Sequence, residues 1–399
     1  MSLEFEGLSK SDKDWFQSIL DITVPCDLNA ENLQSLHDRI IATRLFSYAE
    51  LSIRSHTFFI KVEEKWTLIP VLRGKVGGGT PLLVVGAYES HLLGRQGVLG
   101  GEFRRYGQAP WGGLIYTQLP YIIDKYSLLQ AEISWLHRIR TFYNGAQESV
   151  GNLETDEQSN RLQFLSPSSF LDQRFRFGLY VEAFDLRGLA PESKGPLPTQ
   201  TFIEFNQKYK LLPTFEFDNL VVDNIIVNGM RSLDKIGWIF GGADEGPHLL
   251  GELELFYYKA FHQTLNLALH TYLSASDSRA LQAQHFLGGF DSIRGIPDGA
   301  IWGNKAFYAN AELLQLILRK HYLWLETALF CDFGEAAQHW DEMAKTHRTS
   351  LGGGLRLAVP QIYRLVLRVD YAWNLETGSH GISLGLNQFF QPYTPSLTP

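Results

Sequence analysis

Arg294 sits in a loop punctuated by glycine, Phe286-Leu-Gly-Gly-Phe-Asp-Ser-Ile-Arg-Gly-Ile-Pro-Asp-Gly299. Two acids follow it, Glu312 and Asp332, each among small and apolar neighbours that alternate. A guanidinium is a planar fork that matches a carboxylate bidentately, so the chemistry on offer is a buried ionic clamp. Gly288, Gly289, Gly295 and Gly299 give the loop the tight turns such a clamp needs. Catalytic and metal chemistry find no comparable support. The 12 histidines are scattered, without His-Glu-x-x-His or similar spacing. The glycine runs 77–79 and 352–354 lack the Lys-Ser/Thr of a phosphate loop and read as strand bends. We expect no enzyme, no cofactor and no metal site.

Strand parity says where the acids point. From Tyr322 to Phe333, Leu323, Leu325 and Leu329 share one face, while Trp324, Glu326, Phe330 and Asp332 share the other. In the preceding segment Phe307, Ala309, Ala311 and Leu313 oppose Asn310 and Glu312. Similar alternation recurs at 175–182, 252–257, 265–270 and 365–373. A soluble sandwich also has one apolar face per strand. These segments, however, run to about 9–12 residues, the length of a tilted membrane-crossing strand, against about 5–6 for soluble ones. The leucine faces then meet lipid, where charge is costly, and both acids face a lumen into which the Arg294 loop can fold.

Composition fits a barrel as well as a soluble protein. Hydrophobic residues make up 45% and charged residues 20% of 399, and no run approaches a membrane helix. Aromatics reach 13%, which suits a barrel with interfacial girdles. A net charge of −8 argues against nucleic acid. Cys26 and Cys331 lie far apart, without metal or disulfide-framework spacing. The start, Met1 to Glu6, lacks the basic and apolar regions of a signal peptide, which leaves a removed leader or a cytosolic chain.

The first 65 residues read differently. Leu3–Glu6 is a short strand, Ser11–Asp14 resembles a capping box, and Trp15, Phe16, Ile19 and Leu20 form a helical stripe. Asn29 can cap a second helix with Leu33, Leu36 and Ile40, and strands follow at 46–53 and 57–62. A β-α-α-β-β unit this small is marginal alone and should dock on something. Two inserts, 147–160 and 189–200, read as exposed surface loops. The pairs Arg104-Arg105, Arg138 with Arg140 and Arg174 with Arg176 read as solvated faces.

The run Phe286–Ile296 resembles the lumen-loop signature of the BamA/TamA family of outer-membrane assembly factors, with Ile296 where an aromatic is usual. Gly303-Asn304 with Ala309–Glu312, then Leu329–Gly334, then Gly352–Arg356 and Gly381–Phe390 resemble the strands that follow in that family. The first 65 residues resemble one POTRA module. The resemblance implies a mainly β fold: an antiparallel transmembrane barrel of about sixteen strands with one small α+β POTRA-like unit. It implies three regions, 1–65 POTRA-like, 66–390 barrel and 391–399 a C-terminal extension. It assigns a lumen-loop lock to Arg294, Gly295, Ile296, Glu312 and Asp332, and a weak barrel seam to Gly381, Gly385, Phe389 and Phe390. The implied function is assembly and insertion of outer-membrane proteins, in the outer membrane of a Gram-negative bacterium with the POTRA-like unit in the periplasm. The implied partners are an unfolded outer-membrane or secreted client, the lipid bilayer and accessory lipoproteins. A two-partner-type secretion pore shares the same loop and barrel, and a porin-like barrel without a client is a third reading.

Overall fold

The computed structural model describes residues 2–20, 30–43, 45–54, 57–76, 81–120, 122, 127–143, 148–167, 171–172, 174–188, 192–193, 207–223, 226–241, 246–289, 292–362 and 366–386. Phe389 and Phe390, the extension 391–399, Cys26 and Asn29 lie outside the described residues.

The N-terminal unit runs β1 (Ser2–Glu6), α1 (Lys13–Ile19), α2 (Ala30–Ala42), β2 (Phe46–Arg54) and β3 (Thr57–Glu64). Asp12 caps α1: its carboxylate accepts the Trp15 N–H at 2.7 Å, satisfying an amide the helix leaves unpaired. Trp15 and Phe16 are thereby turned into the core against Leu36, Ile40, Phe58 and Ile60. The sheet is ordered β1-β3-β2, with β1 parallel and β2 antiparallel to β3.

The unit docks on the barrel through the tight turn at 93–96. The Asp12 N–H donates to the Gly94 carbonyl at 3.1 Å, and Arg95 pairs with the Asp12 carboxylate at 3.1 Å. Gly94 has φ +70°, and a Cβ there would lie 2.4 Å from the Lys10 carbonyl oxygen, so only glycine fits. The apolar core of the unit continues into Val84, Tyr88, Leu114 and Tyr116 of the barrel.

The rest closes into an antiparallel barrel. Its strands are β4 (Leu68–Val76), β5 (Leu82–Leu92), β6 (Gly97–Tyr106), β7 (Gly112–Pro120), β8 (Leu128–Tyr143), β9 (Ser149–Pro167), β10 (Phe175–Gly188), β11 (Glu192–Ser193) and β12 (Gln207–Asp218). They continue with β13 (Val221–Asp223), β14 (Ile226–Phe240), β15 (His248–His262) and β16 (Leu265–Ser276). A hairpin of β17 (His285–Leu287) and β18 (Ile301–Gly303) lies outside the barrel ladder. The wall then resumes with β19 (Lys305–Lys320), β20 (Leu323–Ala337), β21 (Arg348–Ala358), β22 (Val366–Asn374) and β23 (His380–Leu386). Setting aside the short pieces β11 and β13, sixteen strands cross the wall. Side chains alternate as the parity argument requires. Leu253, Leu329, Leu355, Val369 and Tyr371 face out, while Glu216, Glu312, Asp332 and Arg356 are buried inside.

The insert 147–160 is not a surface loop. From Ser149 onward it belongs to β9, 19 residues long and paired with both β8 and β10. Its acidity is matched across strands: Asp156 meets His137 at 2.7 Å, and Glu157 pairs with Arg138 at 3.3 Å and with Arg140. At ~3.3 Å per residue β9 is about 60 Å long, far beyond a bilayer core, so its outward residues from Glu154 to Asn160 need not be apolar. In the second insert Glu192 and Ser193 pair with Asn152 and Gly151 of β9, and its other residues lie outside the described ones. The solvated reading of the basic pairs also fails for most of them. Arg104 is buried against Glu102 at 3.0 Å, and Arg176 meets Glu216 at 2.8 Å inside the barrel. Arg174 stays exposed beside Asp172.

Candidate functional site: the lumen arginine and the seam

The segment between β16 and β19 folds into the barrel and is held at two places. Its hairpin packs on one wall, where Phe286 and Trp302 stack on each other and meet Phe142 of β8 edge-on at 6.0 and 5.5 Å. Its tip reaches strands β19 to β22. Gly288 at φ +127° and Gly289 at φ +71° make the turn, and a Cβ on Gly288 would lie 2.0 Å from the Pro297 oxygen. The Gly289 N–H closes the turn on the Ile296 carbonyl at 3.0 Å. Gly299, at φ +72°, turns the chain back beside Phe286.

Arg294 is 1% exposed. Its Nε and Nη2 donate to the two oxygens of Asp332 at 2.8 and 2.7 Å, a bidentate pair, and its own backbone N–H adds a third bond to Asp332 at 3.1 Å. Nη1 donates to Glu312 at 2.5 Å and to Asp370 at 3.4 Å. The guanidinium lies over the Phe330 ring, 3.4 Å from its centroid. Ile293 and Ile296 flank the arginine in an apolar cluster with Leu287, Ile301, Ala306 and Tyr308. Asn310 clasps both sides, donating to the Ser292 carbonyl at 2.7 Å and to Asp332 at 2.9 Å. Gly295, at φ +85°, lets the chain pass close to Ala372, and the Ser379 hydroxyl donates to its carbonyl at 3.0 Å.

Sequence reading located Arg294, Glu312 and Asp332 but missed Asp370, Arg356 and Arg368. Arg356 donates to Asp370 at 2.5 Å and to Glu312 at 3.1 Å, and Arg368 lies 3.5 Å from Asp370. The signal was available. Arg368 and Asp370 alternate with Leu367, Val369 and Tyr371, the same parity that placed Glu312 and Asp332 inside. Gly352 and Gly354 are not bends but vacated positions within β21. A Cβ on Gly352 would meet the Phe330 ring at 2.3 Å, and one on Gly354 would meet the Asp370 carboxylate at 2.0 Å and Arg356 at 2.8 Å. Buried charges need partners from every side, and two missing side chains make room for them.

The seam joins the last barrel strand to the first. β23 and β4 share three register pairs among the described residues: Ile382–Val76, Ser383–Lys75 and Leu384–Gly74. Residues 387–390, which follow β23, lie outside the described ones. Gly381 and Gly385 both lie in β23.

Residues 252–390 match the Omp85 superfamily domain. A structure of BamA from Haemophilus ducreyi lacking POTRA domains 1–3 aligns over 96% of this chain and 84% of its own, at 17% identity and a TM-score of 0.56. CdiB from Escherichia coli aligns over 96% and 76%, at 13% identity and a TM-score of 0.62. CdiB from Acinetobacter baumannii aligns over 97% and 73%, at 12% and 0.58. No curated protein matches the chain by sequence. The chain thus carries an Omp85 superfamily domain at residues 252–390, set within a sixteen-stranded barrel of the fold that BamA and CdiB share.

Proposed function

We propose that this protein inserts or assembles outer-membrane proteins by opening its seam sideways. Omp85 barrels reside in the outer membrane of Gram-negative bacteria and serve barrel insertion or secretion in general. The junction of the first barrel strand with the last carries the choice of insertion: Gly74 lies in β4 and Gly381 and Gly385 in β23, and glycine weakens strand pairing. Once the seam opens, the freed edge of β4 is a template on which an incoming client strand can pair before it leaves into lipid. The Arg294 segment, which spans the lumen from the β8 wall to β19–β22, belongs to both readings and braces the wall while the seam moves.

In this reading the chain has three regions. Residues 1–65 form a periplasmic POTRA-like unit that receives an extended client on the edge of its sheet, 66–390 form the barrel, and 391–399 an extension. Arg294, Glu312 and Asp332 lock the loop while the seam moves. No covalent step, cofactor or metal is called for, because strand exchange is driven by hydrogen bonding and burial.

A disulfide across the seam tests the reading. Lys75 and Ser383 are register partners, so Lys75→Cys with Ser383→Cys, in a background with Cys26 and Cys331 changed to Ser, can close it. In liposomes the oxidised protein should fail to insert a client barrel and recover on reduction. Insertion at the unlocked rate when oxidised would sink the lateral route. Undiminished export of a soluble client through the locked barrel would establish a secretion pore instead.

A further inference from the structure

Asp234 is out of place on this barrel. Along β14 the exposed residues Ile236, Trp238 and Phe240 alternate with the buried Gly237 and Ile239, and Lys235 turns inward to pair with Glu252 at 3.4 Å. Asp234 shares the parity of Ile236 and so faces lipid. It lies within the apolar belt and not at its rim, with Ile236, Trp238 and Phe240 beyond it on one side and Met230 on the other. Its register partners are Phe215 of β12 and Leu253 of β15, both apolar. The other outward charges on β10 to β16, Asp185, Arg187 and Lys259, lie toward strand ends.

Among the described residues Asp234 makes no ion pair. Its hydrogen-bond partner is Ser232, two residues along on the same face. A carboxyl in hydrocarbon is costly unless something pairs with it, so such residues mark contact or transport sites. Two further features set this patch apart. Gly251 of β15, facing Ile236 in register, carries no side chain, and a Cβ there would meet only the Ile236 Cγ1 at 4.0 Å. Across β14, the β12 ladder runs from Leu211–Trp238 to Thr214–Lys235 and skips Leu212 and Pro213. Proline has no N–H to give. The patch thus combines an acid, a hydroxyl, a missing side chain and an interrupted ladder on an otherwise apolar wall.

We infer that this patch docks a membrane-embedded partner that presents a basic side chain to Asp234 inside the bilayer. Charge selects the partner: an anion in hydrocarbon is best paired by a cation, and Gly251 lets the partner's backbone approach closely. The described outward faces of this chain offer no basic residue within the apolar belt, which disfavours a second copy as the occupant. The location suits an accessory role. β14 is the ninth of the sixteen strands counted from β4, across the barrel from the β4–β23 seam. A partner held there leaves the seam free, and the inference stands whether the seam inserts or the lumen secretes.

The test uses the full chain in lipid nanodiscs and a fluorescent transmembrane peptide, either all-leucine or with one central lysine, read by energy transfer to a label on the barrel. The lysine peptide should bind the wild type roughly ten-fold tighter than the all-leucine peptide, the scale of one good contact in a membrane. Asp234→Leu should erase that difference while the barrel stays heat-modifiable on gels, and Asp234→Asn should keep part of it. Equal binding of both peptides to the wild type, or an undiminished preference in Asp234→Leu, would overturn the inference. Energy transfer between barrel copies that Asp234→Leu abolishes would make a second copy the occupant and overturn it too.

Discussion

Two neighbouring parts of one wall are built on opposite terms. On β19 to β22, two arginines and three acids interlock around Arg294, and glycines are placed where any side chain would collide with the network. One strand further on, β23 meets β4, and a Cβ on Gly381 would have its nearest neighbour 3.9 Å away at Gly295. The difference teaches that rigidity here is local. The loop fixes the wall from β19 to β22, and the proposed lateral route requires the seam beyond it to stay soft.

The largest effect is expected from the locked side. Arg294→Ala leaves Asp332 buried without its cation and Glu312 with Arg356 alone, and should destabilise the barrel by about 3–5 kcal/mol. Loss of the heat-modifiable band at a temperature the wild type survives is the readout. An unchanged unfolding profile would mean that Arg356 and Arg368 alone hold the acids. Glycine substitutions sharpen the comparison because they should have opposite signs. Gly354→Ala drives a methyl into Asp370 and Arg356 and should cost about 1–3 kcal/mol. Gly381→Ala has no neighbour nearer than 3.9 Å and should stabilise by about 0.5–1 kcal/mol through reduced chain freedom. Equal effects of the two in denaturant titrations would erase the distinction between lock and seam.

The smallest effect concerns the N-terminal unit. Burial pushes the Glu64 carboxyl up, but hydrogen bonds from the Ser9 and Ser11 hydroxyls and the Ser11 and Lys10 amides outweigh it and hold the group below its ordinary 4.5. A depressed carboxyl stabilises the fold above the unfolded value and loses that contribution as pH falls through the folded one. The segment before α1 should therefore loosen below pH 4.5, seen in Trp15 fluorescence, while the barrel persists. Glu64→Gln should flatten that step. A step of undiminished size in Glu64→Gln would assign it to another group.

Much of this was legible from period-two alternation, because lipid and lumen impose opposite demands on successive residues. That logic places Glu312 and Asp332 inside. It reads the β-α-α-β-β order of the first 65 residues equally well, since Trp15 and Phe16 leave a clear helical stripe. What escaped was convergence. Asp370 lies 76 residues from Arg294, and nothing local says that four strands curve until their side chains meet. The acids of β9 misled for a related reason: a run such as Glu154-Thr-Asp-Glu157 looks solvated until the cations of β8 are set beside it.

The arginine network also has a meaning in time. Its members come from four consecutive strands, and each side chain faces the lumen in one register only. A slip of β20 by a single residue would turn Asp332 into lipid and Cys331 inward. Arg294 would then find no fork to fill, and the loop would lose its seat. The buried guanidinium therefore acts as a proofreader of the protein's own assembly: the loop can settle only after every strand from β19 to β22 has paired correctly, and its settling makes a later slip unfavourable.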